Sequence, residues 1–290
     1  MNFLIQQIFN GLALGSIYAL VAFGFVLIFK ATKVFNLAQG EMMMLSAYLA
    51  YSLFTKYQLP FIAVLCITLL LSALIGIFTE RIVMRPLIGY PIFPIIVATL
   101  GLSIILKSIV SIIWGVWPLR SPSPFQKKAY VLFNITLLPS SFWLIILSLG
   151  LVVLLYIFFK FTRIGTALRA ITDDIPASYL CGINVKRLFN FSWALSLMVG
   201  GIAGVFITPI TYLHPNLGFL GLKALPAAVI GGFGNFPGAI VGGILLGILE
   251  TLAGGYLPKG FKEIFPWLVM FLILIIKPEG IFEIYRKKKV

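Results

Sequence analysis

The sequence has few charged residues and very few of the residue types that build catalytic or metal sites. Only 10% of its 290 residues are charged, with 8 acidic residues against 22 Lys and Arg, and it contains two cysteines and one histidine. A soluble domain carries roughly 25% charged residues. Two distant cysteines and a lone histidine are too few for a disulfide framework or a metal centre. The composition excludes an ordinary soluble enzyme, a disulfide-stabilised secreted domain and a disordered chain.

Motifs for catalysis and nucleotide binding are also absent. There is no Gly-rich loop followed by Lys and Ser or Thr, no HExxH and no CxxC, and His214 stands before Pro215 in a loop. The glycine-rich run 231–234 lacks the strand and helix that a dinucleotide site requires. These absences predict that the chain is not an enzyme and that it binds no metal and no cofactor itself.

Long apolar runs are what the sequence has instead. Hydrophobic residues make up 61% of the chain, and the mean hydropathy is +1.09. A helix needs about 20 mainly apolar residues to cross the hydrocarbon core of a bilayer. We therefore predict an all-α fold, a polytopic transmembrane helical bundle with about 8–9 crossings that forms a single domain over residues 1–290. The candidate runs are 8–29, 34–54, 61–83, 93–114, 142–161, 189–212, 238–257 and 261–276. The run 34–54 qualifies only if its polar opening lies at the interface or in a cavity, and 261–276 is short.

The segment 217–236 is apolar enough to enter the membrane, but it carries Lys223, Pro226 and five glycines. Irregular backbone is tolerated at membrane depth only where protein or a water-filled cavity covers it, so we predict a broken or re-entrant crossing here. Cytoplasmic loops carry an excess of Lys and Arg. A cytoplasmic C-terminus places 14 of the 22 cations on that side and 7 on the other. This excess explains the basic composition without a nucleic-acid partner. It also favours a topology with nine crossings and the N-terminus outside over a topology with eight crossings.

Four glycine pairs have the four-residue spacing that lets transmembrane helices approach closely. Packing within the bundle explains this spacing, and a subunit interface is the alternative. The pairs are Gly11 and Gly15, Gly200 and Gly204, Gly238 and Gly242, and Gly243 and Gly247.

Two ionisable residues, Lys107 and Glu250, lie inside apolar runs. A charge at membrane depth costs a few kcal/mol or more, so each residue is either paired with an opposite charge or lines a solute pathway. A polar cluster, Asn36, Gln39 and Glu41, surrounds a glycine at which the backbone can bend. A helix start there would expose N–H groups for a polar or anionic group, and an ordinary interfacial cap is the alternative.

The polar stretch 162–188 becomes a long cytoplasmic loop in this topology. Asp173 and Asp174 precede Pro176, which suits the first turn of a helix, and Gly182 suits its end. The pattern predicts a short helix over 176–181. A solvated loop needs no such helix, so we interpret it as a docking site for a soluble partner. The small and apolar residues that it would present are Ala177, Tyr179 and Leu180.

Six stretches between residues 10 and 280 follow an order shared with one transport family. They are 10–20 (NGLALGSIYAL), 35–42 (FNLAQGEM), 85–87 (RPL), 98–101 (ATLG), 169–184 (RA through GIN) and 221–239 (GLKA through AAVIGGFG to PGA). On these motifs the chain resembles the permease subunits of bacterial ABC importers for branched-chain amino acids, in particular the H-type member of the two-permease pair. The family usually has His where this chain has Gln39, which removes the basis for a proton-linked or histidine-specific role there.

The resemblance implies a multi-pass protein of the bacterial inner membrane that forms a heterodimeric pore with a second permease. Two cytoplasmic ATPases would use ATP to drive it, and an extracytoplasmic binding protein would deliver the substrate. The loop 162–188 matches the place where such permeases dock the ATPase. The residues that we assign to coupling are Arg169, Asp173, Asp174, Pro176, Ala177, Tyr179, Leu180 and Gly182.

The candidates for the translocation pathway are Asn36, Gln39, Glu41, Thr99 and Glu250. Branched-chain amino acids are the substrates that the resemblance favours, although related permeases carry urea, short amides or other amino acids. Outside this family, the alternative is a self-sufficient transporter that uses Glu41, Lys107 or Glu250 for ion coupling. A membrane-embedded enzyme lacks a nucleophile with its base.

Overall fold

The chain is almost entirely helical. The computed structural model describes residues 2–121, 130–132, 135–137, 139–258 and 260–282, and within them 12 α-helices and one antiparallel β-hairpin. Several cations in the predicted topology, Lys127, Lys128, Lys259 and the basic residues 286–289, lie outside the described residues.

The helices are α1 (Asn2–Thr32), α2 (Gln39–Thr55), α3 (Phe61–Thr79), α4 (Ile92–Trp114), α5 (Pro139–Phe161), α6 (Arg163–Asp173), α7 (Ile175–Leu180), α8 (Val185–Ile207), α9 (Gly218–Leu222), α10 (Ala224–Gly231), α11 (Phe236–Tyr256) and α12 (Phe261–Ile276). The hairpin joins β1 (Tyr130–Leu132) to β2 (Ile135–Leu137).

Six helical stretches in the described residues are long and apolar enough to cross a membrane. They are Phe3–Thr32, Phe61–Leu87, Ile92–Trp114, Ser141–Phe161, Val185–Ile207 and Phe236–Tyr256. Helices α2 and α12 are apolar but shorter, with 17 and 16 residues. The segment predicted to be broken contains the two short helices α9 and α10.

The predicted run 34–54 becomes helical only at Gln39. Lys33 has a φ of 57° just after α1, and the Asn36 side chain accepts a hydrogen bond of 3.2 Å from the backbone N–H of Ala38. This local bond forms a turn that competes with helix. A turn therefore precedes α2, and the helix begins next to Gly40, within the polar opening of the predicted run.

Helix α1 forms the centre of the bundle, and α11 is its main neighbour. A Cβ atom on Gly11 would lie only 2.6 Å from Ile248 Cα, and one on Gly15 only 2.8 Å from Ile244 Cα. Glycine therefore allows these backbones to touch. The other pairs face neighbouring helices of the same chain: Gly200 and Gly204 face α2, Gly238 and Gly242 face α10, and Gly243 and Gly247 face α1. Packing within the bundle is confirmed for all four pairs.

Contacts between helix termini define two ends of the bundle. At one end, which we call the α6 end, Thr172 of α6 donates a hydrogen bond of 3.1 Å to the carbonyl of Lys30, and Lys30 Nζ donates one of 2.8 Å to the carbonyl of Gly234. At the opposite end, the far end, Leu119 and Leu213 form a backbone bridge. The chain thus passes from the far end to the α6 end through α9 and α10.

A buried ion pair fixes the end of α3, where a π-helical turn, Glu80–Met84, follows it. The carboxylate of Glu80 is fully buried and accepts two hydrogen bonds from the Arg85 guanidinium, at 3.0 and 2.8 Å. With its amide suitably oriented, Asn190 of α8 donates to Glu80 and accepts from Arg85. The sequence analysis used Arg85 as a topology signal and as part of the 85–87 motif, and the structure shows in addition that it connects α3 to α8.

Candidate functional site

A cleft of about 530 Å³ opens beside the break between α9 and α10. It brings together charged side chains from α2, α4, α12 and the break itself, with the polar segment that precedes α9. We call it the charged cleft. Its lining residues are Glu41, Lys107, Thr211, His214, Pro215, Asn216, Leu217, Phe219, Leu220, Lys223 and Glu263.

Lys223 makes two ion pairs at the inner wall of this cleft. Its Nζ lies 3.1 Å from Glu250 Oε1 and 2.6 Å from Glu263 Oε2. The Glu250 side chain is 1% exposed, whereas that of Glu263 is 62% exposed. The hydroxyl of Tyr18 donates a hydrogen bond of 2.6 Å to Glu250 Oε2. Both oxygens of the buried carboxylate are therefore occupied, as a charge at this depth requires.

Pro226 explains why the helix breaks at Lys223. Proline lacks an N–H and its ring clashes with the carbonyl four residues earlier, so it is tolerated only in the first turn of a helix. Here that carbonyl belongs to Leu222, the last residue of α9, and Pro226 lies in the first turn of α10. The close approach of α9 to α2 requires glycine, since a Cβ on Gly221 would lie 2.5 Å from Gly40 Cα.

Glu41 also lines the cleft. Its Oε2 atom is buried and has no hydrogen-bond partner among the described residues. Ser103 hydrogen-bonds to this carboxylate and Lys107 interacts with it electrostatically, both from α4. The space for Glu41 exists because residue 218 is glycine, where a Cβ would lie 2.9 Å from Glu41 Cδ.

The other polar residues of the cluster around Gly40 do not line the cleft. Asn36 Nδ2 donates to Gln39 Oε1 at 3.1 Å, and Gln39 Nε2 donates to Ser196 Oγ at 3.1 Å. Ser196 Oγ in turn donates to the carbonyl of Gly24 at 2.9 Å. All these groups are buried. Asn36 and Gln39 therefore connect α1, α2 and α8 through hydrogen bonds.

The remaining pathway candidates are also buried. Thr99 donates a hydrogen bond of 2.9 Å to the carbonyl of Ile96 in its own helix. Glu250 lies behind Lys223 and forms an ion pair with it. Of the two alternatives for Glu250, pairing with an opposite charge therefore fits its geometry. The sequence analysis placed Lys223 among the cations of the outer side. The site also contains Lys223, Glu263 and Tyr18, which the sequence analysis did not assign to it. The signal for Lys223 was a lysine three residues before Pro226 in an apolar segment.

A second feature, at the α6 end, is the pair of helices α6 and α7. Thr162 caps α6 by accepting from the N–H of Gly165 at 3.2 Å, and Asp174 caps α7 by accepting from the N–H of Ala177 at 2.9 Å. These are the side-chain acceptors that helix starts favour. Gly182 has a φ of 77° just after α7, which favours glycine.

The predicted helix 176–181 is therefore found one residue earlier, as Ile175–Leu180, because Asp174 is its cap and Pro176 its second residue. Helix α6 was missed, although Leu168 and Ile171 are buried with helical spacing. Arg169 donates to the carbonyl of Phe159 and to Thr166, which holds α6 against the end of α5. Three side chains of α7 face outward: Ala177 and Tyr179 are exposed, and Leu180 is 91% exposed.

Comparison with known proteins supports the permease resemblance along most of the chain. A family profile described as "Branched-chain amino acid transport system / permease component" matches residues 7–274. The high-affinity branched-chain amino acid transport system permease protein LivH of Escherichia coli (strain K12) is 30% identical over 295 residues, covering 96% of this chain and 95% of LivH. The corresponding protein BraD of Pseudomonas aeruginosa is 27% identical, with 96% and 95% covered.

A solved structure shares the fold over nearly the same length. The chain aligns with a chain of PsaBC from Streptococcus pneumoniae, in a structure with a Fab, with a TM-score of 0.52 and 16% identity, covering 93% of this chain and 91% of the other. The predicted family resemblance is confirmed by the profile and by the relatives. The chain belongs to the branched-chain amino acid permease family, whose members are non-catalytic transmembrane subunits of ABC transporters.

Proposed function

We propose that this chain is the permease subunit of an ABC importer that carries branched-chain amino acids across the bacterial inner membrane. It would form a heterodimer with a second permease, take substrate from an extracytoplasmic binding protein, and be driven by two cytoplasmic ATPases that use ATP. The observation that carries the proposal is the capped helix α7, with its exposed side chains, at one end of a bundle that contains six helical stretches apolar enough to cross a membrane. The printed names of LivH and BraD support the substrate.

The proposed topology has nine crossings, with the N-terminus outside and the α6 end in the cytoplasm. Helix α1 runs from the far end to the α6 end, and α9 with α10 counts as one broken crossing. After α12 the chain returns to the α6 end, where the N–H of Ile281 donates to the carbonyl of Ile230 at 2.8 Å. Exposed cations at this end, including Arg163, Arg169 and Arg187, fit a cytoplasmic side.

The loop 162–188 is proposed as the coupling element of one transmembrane permease domain. Ala177, Tyr179 and Leu180 would contact the ATPase. Arg169, Asp173, Asp174, Pro176 and Gly182 would shape and hold this helix pair. Closure of the ATPase dimer would then bias the bundle between two arrangements of its helices, as alternating access requires.

The charged cleft is proposed as part of the translocation pathway. Glu41 would contact the solute, and Glu250 would set the charge of the inner wall through Lys223. Asn36, Gln39 and Thr99 would maintain the helix packing around the pathway. Because an ionisable group at membrane depth is costly, such groups are retained where they pair or line a pathway.

Reconstitution tests this function directly. The chain is inserted into liposomes either alone or with its co-expressed second permease and ATPases, and the uptake of labelled leucine is measured with binding protein present. We expect uptake only by the complete complex and only with ATP. Gradient-driven uptake by the chain alone would instead establish an ion-coupled transporter.

A further inference from the structure

Lys223 has two carboxylate partners that differ in their exposure. Glu250 is enclosed and also bonded by Tyr18, so removing it from Lys223 would leave a buried charge uncompensated. Glu263 reaches in from the first turn of α12 and is 62% exposed. Only the Glu263 end of this pair is solvated, because the Lys223 side chain is 6% exposed, and solvent screening at that end weakens the hold of Glu263 on Lys223. Glu263 is therefore the partner that an incoming anion can displace.

The cleft also offers an acceptor for a positive group. Glu41 Oε2 is buried without a hydrogen-bond partner among the described residues. Both Glu41 and Lys223 line the same cleft of about 530 Å³, a volume within the roughly 300–1,000 Å³ of small-molecule sites. The apolar part of the lining comes from Leu217, Phe219 and Leu220.

We infer, on the basis of the proposed import function, that Lys223 binds the α-carboxylate of a zwitterionic amino acid, displacing Glu263, while Glu41 receives its ammonium group. The exchange keeps every charge compensated: the substrate carboxylate replaces one carboxylate at Lys223, and the released Glu263 returns to solvent. The apolar side chain of the substrate then lies against Phe219 and its neighbours. A simple cation would bind only at Glu41, and a simple anion only at Lys223.

Direct binding to the purified complex, without the binding protein, tests the chemistry. The complex in detergent is titrated with leucine, leucinamide or 4-methylpentanoate, and its thermal unfolding midpoint is followed. A ligand that binds only the folded state raises this midpoint. We expect leucine to raise it, and each of the two half-charged analogues to need at least tenfold higher concentration for the same rise, since each lacks one ion pair of about 1.4 kcal/mol. Equal stabilisation by all three compounds would overturn the inference.

A double substitution separates binding from folding. Lys223→Met alone leaves Glu250 unpaired and can fail to fold, so it is combined with Glu250→Gln, which retains an acceptor for Tyr18. We expect the double variant to assemble and hydrolyse ATP, to lose the stabilisation by leucine, and to lose ATP-driven leucine uptake at saturating binding protein. Normal leucine stabilisation and uptake in this variant would make Lys223 a structural residue only.

The exchange step has its own variant and control. Glu263→Gln removes the displaceable partner, so the same rise of the unfolding midpoint should need about two- to fivefold less leucine. The adjacent Lys262→Gln changes a charge at the same turn without entering the cleft, and it should leave the titration unchanged. Weaker leucine binding in the Glu263 variant would contradict displacement. If the wild-type complex shows no ATP-dependent uptake while leucine still stabilises it, the proposed function fails and the binding site stands.

Discussion

The hydroxyl of Tyr18 and the carboxylate of Glu250 form a hydrogen bond of 2.6 Å between side chains separated by 232 positions in the sequence. Both side chains are almost completely buried. The bond joins α1 to α11 at the level where Lys223 supplies the opposite charge. A buried carboxylate with all its partners present is tolerated, whereas the loss of one partner leaves an unsatisfied oxygen.

Replacement of Tyr18 by Phe should therefore destabilise the protein by about 1–3 kcal/mol, the typical cost of an unsatisfied buried acceptor. The measurement is the unfolding transition of the purified protein in mixed detergent micelles. Tyr48→Phe is the matched control, because the Tyr48 hydroxyl is buried without a partner among the described residues. It should be neutral or stabilising. Equal losses in both variants would show that the bond to Glu250 adds nothing.

The contact between α1 and α11 gives a steric prediction. Gly15→Ala forces a methyl group to within 2.8 Å of the Ile244 backbone, and overpacking of this kind costs about 1–3 kcal/mol. We expect a lower unfolding midpoint and less monodisperse protein in size-exclusion chromatography. Gly150→Ala on α5 is the control, since no atom lies within 4 Å of its added Cβ. A Gly15 variant as stable as the control would exclude close backbone packing.

The two neighbouring aspartates of the coupling loop should behave differently. Asp174 caps α7, and loss of such a cap costs about 0.5–2 kcal/mol of helix stability, whereas Asp173 is the last residue of α6 and caps nothing in the described structure. Asp174→Ala should reduce leucine-dependent ATP hydrolysis by the assembled complex more than Asp173→Ala does. Equal losses would point to the negative charge that both carry rather than to the cap.

The ion pair at the end of α3 predicts a large effect of a partly exposed arginine. Arg85→Ala leaves the fully buried Glu80 without its cation, and breaking a buried pair costs about 3–5 kcal/mol. We expect the lower end of that range, because the Arg85 side chain is 28% exposed. Arg81→Ala, at an exposed position one turn earlier, is the control. Adding Glu80→Gln to the Arg85 variant should recover much of the loss in the unfolding midpoint.

The long helices were predictable because their apolar runs exceed what a soluble fold can bury. Helix α7 was predictable to within one residue, since Asp174, Pro176 and Gly182 each act locally on the backbone. Helix α2 begins at Gln39, within the apolar run 34–54, because the bond from the Ala38 N–H to the Asn36 side chain favours a turn where apolar content alone favours helix.

The composition of the charged cleft was not predictable in the same way. Glu250 and Lys223 were recognisable one by one as costly residues at membrane depth. Their pairing depends on how α10, α11 and α12 pack, and no local pattern encodes the distance between segments so far apart in sequence. Asn36, Gln39 and Thr99 looked equally polar in the sequence, but their hydrogen bonds are satisfied inside the bundle.

Helix α1 carries both Tyr18, which bonds Glu250, and Lys30, whose carbonyl accepts from Thr172 of α6. The helix is continuous between them, and at 1.5 Å per residue the two positions are about 18 Å apart along its axis. One unbroken helix therefore connects the ion pairs of the cleft to α6. If α6 and α7 dock the ATPase as proposed, α1 gives their movement a direct path to the wall of the cleft.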